Sequence, residues 1–137
     1  MSNRLLIPKN WLEKMDLDYE EDQDSLILPW LIEEKRFLMR IVTTEDFVQT
    51  VLLIMEKDQI PANKREQLYF ELLKANFYSN DVTYSLDDEG NVYSENDCPL
   101  RSDLESFSSE LKAIVSSVAH FINGIAPKIG LIVEDTY

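Results

Sequence analysis

Cysteine and histidine are almost absent from this sequence, which has one residue of each, Cys98 and His120. A single cysteine cannot form a disulfide within the chain, so a secreted fold stapled by disulfides is excluded. One histidine and one cysteine also cannot supply a cluster of nitrogen and sulfur ligands for a metal. The acidic loops do not fit the calcium-binding EF-hand pattern either. We therefore expect no metal and no cofactor.

Glycine is nearly as scarce, with three residues, Gly90, Gly124 and Gly130, and none has the spacing of a phosphate-binding loop. A nucleophilic pair of Cys98 and His120 has little support. A cysteine before a proline at a strand end is more typical of buried apolar filler. A histidine near a helix end is more typical of an interaction with the helix dipole. The sequence thus predicts a protein that is not an enzyme.

Basic residues are outnumbered, because 13 lysines and arginines face 26 acidic residues and give a formal net charge of −13. Such a surface repels nucleic-acid phosphates and anionic lipid, so we expect neither nucleic-acid nor membrane binding. Solubility is the simpler explanation of this charge. The alternative is an electric field that favours a basic partner.

Long hydrophobic runs are also missing. The longest apolar stretches, 26–32 and 51–55, are far below the roughly 20 residues that a membrane helix needs. The apolar run near the N-terminus has three residues before Pro8 and is too short for a signal peptide. These features predict a cytoplasmic protein. With 137 residues, 45% of them hydrophobic, the chain can build the core of one domain.

Hydrophobic periodicity gives the order of the elements. Pro29 lacks a backbone N–H, which puts its strand at a sheet edge or at a bulge. The segment 47–55 fits a strand or a helix, and its β-branched residues favour a strand. The acidic run 18–24 reads as a solvated loop. The pattern predicts a helix over 8–17, strands over 26–32, 36–42 and 47–55, a helix over 62–77, a hairpin over 82–97 and a helix over 102–123, which Gly124 ends.

This order, α-βββ-α-ββ-α, predicts an α+β domain in which a five-stranded antiparallel sheet packs with helices. We assign residues 1–125 to this single domain. Residues 126–137 form a C-terminal tail, which either docks on the domain or is mobile.

The helix over 62–77 has more apolar surface than one sheet can cover. Its apolar side chains span an arc of roughly 220°. Either a terminal segment of the chain covers the excess, or a second copy of the chain does. The candidate dimer residues are Leu68, Tyr69, Leu72, Leu73 and Phe77.

Aromatic residues on the predicted edge strand suggest a second surface. Most aromatic side chains of a domain belong to its core, but Trp30 follows Pro29 and could be an exposed anchor for a partner. The candidate partner-binding residues are Trp30, Leu31 and Ile32.

Three short motifs carry a resemblance to a known fold. Ile60-Pro61 precedes a helix that ends Leu72-Leu73-Lys74-Ala75-Asn76, a hairpin reads Leu86-Asp87-Asp88-Glu89-Gly90, and Pro99-Leu100 precedes the last helix. The chain resembles the type III secretion chaperone-like fold, in particular the YbjN-type proteins. The resemblance implies a small acidic homodimer without enzymatic activity. It also implies binding of unfolded protein segments through apolar patches and strand addition.

We therefore expect a protein-binding, chaperone-like module that forms a homodimer and holds a protein partner of unknown identity. One alternative is a regulatory adaptor that binds a single folded partner. The other is a small-molecule-binding domain.

Overall fold

One six-stranded antiparallel sheet organises the fold. The computed structural model describes residues 3–137. The α+β class and the predicted element order are confirmed, with one strand more than predicted. The helices are α1 (Leu6–Lys14), α2 (Arg65–Tyr78) and α3 (Leu104–His120), and the strands are β1 (Glu20–Asp22), β2 (Ser25–Ile32), β3 (Lys35–Thr43), β4 (Phe47–Met55), β5 (Thr83–Leu86) and β6 (Val92–Pro99). The strand order in the sheet is β1-β2-β3-β4-β6-β5.

Strand β1 is the additional element, and it lies in the acidic run that reads as a loop. It pairs with the start of β2, with Glu20 opposite Ile27. All three of its residues are exposed. The strand therefore carries no apolar alternation from which the sequence could predict it. The prediction of a solvated loop over 18–24 is wrong for these three residues.

A tight hairpin joins β2 to β3. Glu33 and Glu34 both have positive φ, 50° and 65°, which is the backbone of a two-residue turn that matches the twist of the strands. The register places Trp30 opposite Phe37 and Ile32 opposite Lys35. The two-residue turn Glu33-Glu34 connects the strands predicted over 26–32 and 36–42, and the strand predicted over 47–55 is confirmed.

Alternate residues of the central strands are buried against the helices. Phe37, Met39 and Ile41 of β3 are fully buried, and the residues between them are exposed. The rings of Trp11 in α1 and Phe107 in α3 meet with centroids 4.9 Å apart. The helices therefore cover one face of the sheet, and this layer holds the core.

Helix α3 begins at a capping residue and runs on past its predicted end. The Asp103 side chain accepts a 2.8 Å hydrogen bond from the backbone N–H of Ser106, as expected of an N-cap. A π-helical turn, Phe121–Ile125, continues the helix through Gly124. A Cβ on Gly124 would lie 2.9 Å from the His120 ring. Gly124 makes room for that ring, and the prediction that it ends the helix is wrong.

The C-terminal tail docks on the domain. Ile129, Leu131 and Val133 are buried with the core residues. The backbone N–H of Thr136 donates a 2.9 Å hydrogen bond to the carbonyl oxygen of Arg36 in β3. Of the two alternatives for residues 126–137, docking is observed. Within residues 3–137, no helix combines the length and the apolar character needed to cross a membrane.

Candidate functional site

Helix α2 presents apolar side chains on two sides. Leu68 and Leu72 point into the core and are buried, so these two dimer candidates have no free surface. On the opposite side Phe70, Leu73, Phe77 and Tyr78 are 61%, 71%, 81% and 78% exposed. We call these four residues the outer α2 face. The wide apolar arc of the sequence thus divides into a core stripe and an exposed stripe.

The C-terminal tail covers only one flank of α2. Lys64, just before the helix, donates a 2.7 Å hydrogen bond from Nζ to the carbonyl oxygen of Gly130. Lys128 forms an ion pair with Glu71 of the helix at 3.8 Å. Tyr69, the remaining dimer candidate, is half-buried. A terminal segment therefore accounts for part of the arc, but it leaves the outer α2 face uncovered.

The second candidate surface lies on β2. Strand β1 pairs with only the N-terminal half of β2. The register of β1 covers Ser25–Ile27 and stops there. Beyond it, β2 is an edge strand, as Pro29 predicts. Among the three predicted partner-binding residues, Leu31 is 70% exposed and Ile32 is only 3% exposed. Trp30 is half-buried, and its buried indole Nε1 has no hydrogen-bond partner among the described residues.

Leu31 belongs to a larger apolar surface on the sheet. The face opposite the helices carries the alternate residues of the same strands. Pro29 pairs with Leu38, and Leu53 pairs with Tyr93. Met39 of β3 pairs with Leu52 of β4. In this antiparallel register, the next residues along the two strands, Leu38 and Leu53, also lie opposite each other. We call the following exposed or half-buried residues the open sheet face: Ile27, Pro29, Leu31, Leu38, Phe47, Val51, Leu53 and Tyr93.

Charges on this side of the sheet are mainly negative. Arg40 forms an ion pair with Asp22 of β1 at 3.8 Å. Arg36 likewise pairs with Asp135 of the tail at 3.3 Å. At the other end, on β6, Glu95 and Asp97 form no ion pair with any residue from 3 to 137. The two arginines are thus neutralised, and the β6 end of the face is left acidic.

A cleft beside β6 extends this acidic end. Its lining includes Asp81, Glu95, Asp97 and Glu110. Burial, followed by the nearby charges of Asp81 and Asp97, raises the pKa of the Glu110 carboxyl. Burial is the largest cause of this rise in pKa, and the two neighbouring carboxylates add to it.

The other edge of the sheet, strand β5, is occupied by a side chain at its second residue. The outward backbone groups of Tyr84 in β5 bind the side-chain amide of Asn76 in α2, with distances of 2.8 Å to Oδ1 and 2.9 Å from Nδ2. Strand addition at this point of β5 would have to displace the amide. The free half of β2 is therefore the more accessible edge.

Two groups that could perform chemistry, the Cys98 thiol and the Tyr84 hydroxyl, are buried. Cys98 is buried, and burial raises the pKa of its thiol, which opposes formation of the reactive thiolate. The Tyr84 hydroxyl donates to the carbonyl oxygen of Ser117 at 2.6 Å, and burial raises the pKa of this tyrosine. Among residues 3–137, no group of three or more metal-ligating side chains is assembled.

Comparisons with known proteins bear on the fold. No family model matches the chain, and no curated protein matches it by sequence. Among solved structures, it is similar to YbjN of E. coli, a proposed transcription regulator, with a TM-score of 0.70, 16% identity and 93% of each chain covered.

Two chaperone complexes also match. The Yersinia pestis type III secretion chaperone SycH, solved with a stable fragment of YscM2, gives a TM-score of 0.58 at 13% identity, covering 85% of this chain and 97% of the other. The HopA1–SchA chaperone–effector complex gives a TM-score of 0.58 at 12% identity, covering 86% and 94%. The chain therefore has the YbjN-type, chaperone-like fold that its motifs resemble.

Proposed function

We propose that this chain is a non-catalytic, chaperone-like module that works as a homodimer and holds a protein partner against apolar surface. The observation that carries the proposal is the pair of uncovered apolar surfaces, the outer α2 face and the open sheet face. Contiguous exposed apolar surface is uncommon on proteins that act alone, and it is typical of interaction sites. The similar structures of SycH and SchA were solved as complexes with other proteins, which supports the same use of this fold.

The outer α2 face is the proposed dimer interface. It contains four large apolar side chains from two and a half helical turns, and aromatic residues are favoured at such interfaces. Helix α2 has two basic residues, Arg65 and Lys74, and two acidic ones, Glu66 and Glu71. Two copies can therefore approach at this helix without the repulsion expected elsewhere on a chain of charge −13.

The open sheet face and the free half of β2 form the proposed partner site. Leu31 supplies exposed apolar surface there. A partner backbone added along β2 would pair with the backbone groups of its free half. The single cysteine is buried, which fits the proposed cytoplasmic location.

Light scattering over a range of protein concentrations tests the dimer. We expect the wild-type chain to have twice its monomer mass, and the double variant Leu73→Glu, Phe77→Glu to be a folded monomer. The matched control is Leu31→Glu, which places the same charge on the open sheet face and should remain dimeric. A strictly monomeric wild type would refute the dimer, and dissociation by Leu31→Glu alone would move the interface to the sheet.

A further inference from the structure

The apolar residues of the open sheet face lie between two acidic margins. Pro29, Leu38, Leu53 and Tyr93 make a row that crosses four strands. The exposed Glu20 of β1, which lies opposite Ile27, stands at one end of the sheet. Glu95 and Asp97 of β6, which form no ion pair with the described residues, stand at the other end beside the acidic cleft. A molecule that binds this surface must therefore offer apolar groups to its centre and positive charge to its ends.

A second copy of this chain does not satisfy both requirements. Two open sheet faces placed together would bring Glu95 and Asp97 of one copy near acidic groups of the other, at a cost in repulsion. The outer α2 face has no such excess, since its helix is formally neutral. The charges thus separate the two surfaces, with α2 suited to self-association and the sheet suited to a partner of opposite charge.

We infer that the open sheet face takes a basic amphipathic segment of another protein, in which apolar side chains meet the central row and lysine or arginine side chains meet the acidic margins. This inference rests on the proposed partner site and adds the chemistry of the partner. Both arginines on the face already have carboxylate partners, so they do not offset the acids of β6. Opposite charge at the margins speeds association and selects among apolar segments.

Two labelled synthetic peptides of equal length test the inference by fluorescence anisotropy. Leucine alternates with lysine in one and with glutamate in the other. We expect the lysine peptide to bind at least about tenfold more tightly, with the difference shrinking as salt is added. The double variant Glu95→Gln, Asp97→Gln removes two charges and should lower the affinity for the lysine peptide about fivefold. The control Glu66→Gln, Glu105→Gln removes two exposed charges from the helices and should change the affinity less than twofold.

Each contrary outcome has a distinct meaning. Equal affinity of the two peptides overturns the basic partner but leaves the partner site standing. Equal losses in the β6 variant and the helix control mean that net charge alone attracts the peptide, and they also overturn the inference. If neither peptide binds, or if Leu38→Ser does not lower the affinity for the lysine peptide, the proposed partner site is refuted. The inference is then refuted with it.

Discussion

The side-chain amide of Asn76 occupies the outward backbone N–H and C=O of Tyr84, in the way that a neighbouring strand would. This contact joins α2 to the edge strand β5 and occupies that edge at Tyr84. An uncovered edge strand tends to pair with other chains, so this contact directs association to the other surfaces of the molecule.

Replacing Asn76 should therefore destabilise the domain. Asn76→Ala removes both hydrogen bonds and leaves two part-buried backbone groups of Tyr84 without partners. We expect the free energy of unfolding in urea to fall by about 1–3 kcal/mol. The exposed Asn80, four residues on, provides the matched control, and Asn80→Ala should change stability by less than about 0.5 kcal/mol. Equal effects of the two variants would refute the role of the Asn76 amide.

The tail should contribute to stability through alternate residues. Leu131 is buried, whereas its neighbour Ile132 is 76% exposed. Leu131→Ala should lower the free energy of unfolding by about 2–3 kcal/mol, because it removes buried methyl groups and leaves a cavity. Ile132→Ala should lower it by less than about 0.5 kcal/mol. Chemical denaturation of the two variants measures this contrast, and a small, equal effect would mean that the tail is not docked in solution.

Asp87 should make the β5–β6 hairpin sensitive to acid. The Asn91 side chain donates to its carboxylate at 2.9 Å, and this hydrogen bond is the main reason why the pKa of Asp87 is lowered from 3.8 to about 2. The Tyr93 hydroxyl donates to the same oxygen. Because the folded pKa lies below the unfolded one, the unfolded state binds more protons in this range, and stability falls as pH is lowered.

The pH dependence has a defined window. The contribution of Asp87 is complete above its unfolded pKa of 3.8 and is lost as pH falls towards about 2. We expect Asp87→Asn to weaken the loss of stability between these pH values, measured by denaturation at each pH. Asp88→Asn, at the exposed neighbouring turn residue, should leave the profile close to that of the wild type. Parallel profiles for the wild type and Asp87→Asn would contradict this account.

Much of the fold could be predicted from periodicity, because its elements show their buried faces in the sequence. The alternation around Phe37, Met39 and Ile41 predicts β3, and the apolar residues at helical spacing predict α3. Strand β1 could not be predicted, since none of its side chains is buried. Backbone pairing with β2 holds it, together with the ion pairs of Glu21 with Lys9 and of Asp22 with Arg40.

The surfaces were harder to predict for a different reason. Periodicity finds apolar residues on α2, but it does not distinguish Leu72, which is buried, from Leu73, which is exposed. That distinction depends on the β5 strand and the tail that pack against the helix. The docking of the tail depends in turn on Arg36 and Asp135, which are 99 residues apart. Contacts over such separations leave no local pattern in the sequence.

The open sheet face is the centre of this account, and NMR titration tests it most directly. The isotope-labelled protein would be titrated with the peptide of alternating leucine and lysine, and the backbone amide shifts followed. We predict saturable shifts concentrated in the central strands around Leu31, Leu38, Leu53 and Tyr93, with little change on α2. Shifts confined to the helices, or weak shifts spread over all acidic surfaces without saturation, would contradict the assignment of this face as the partner site.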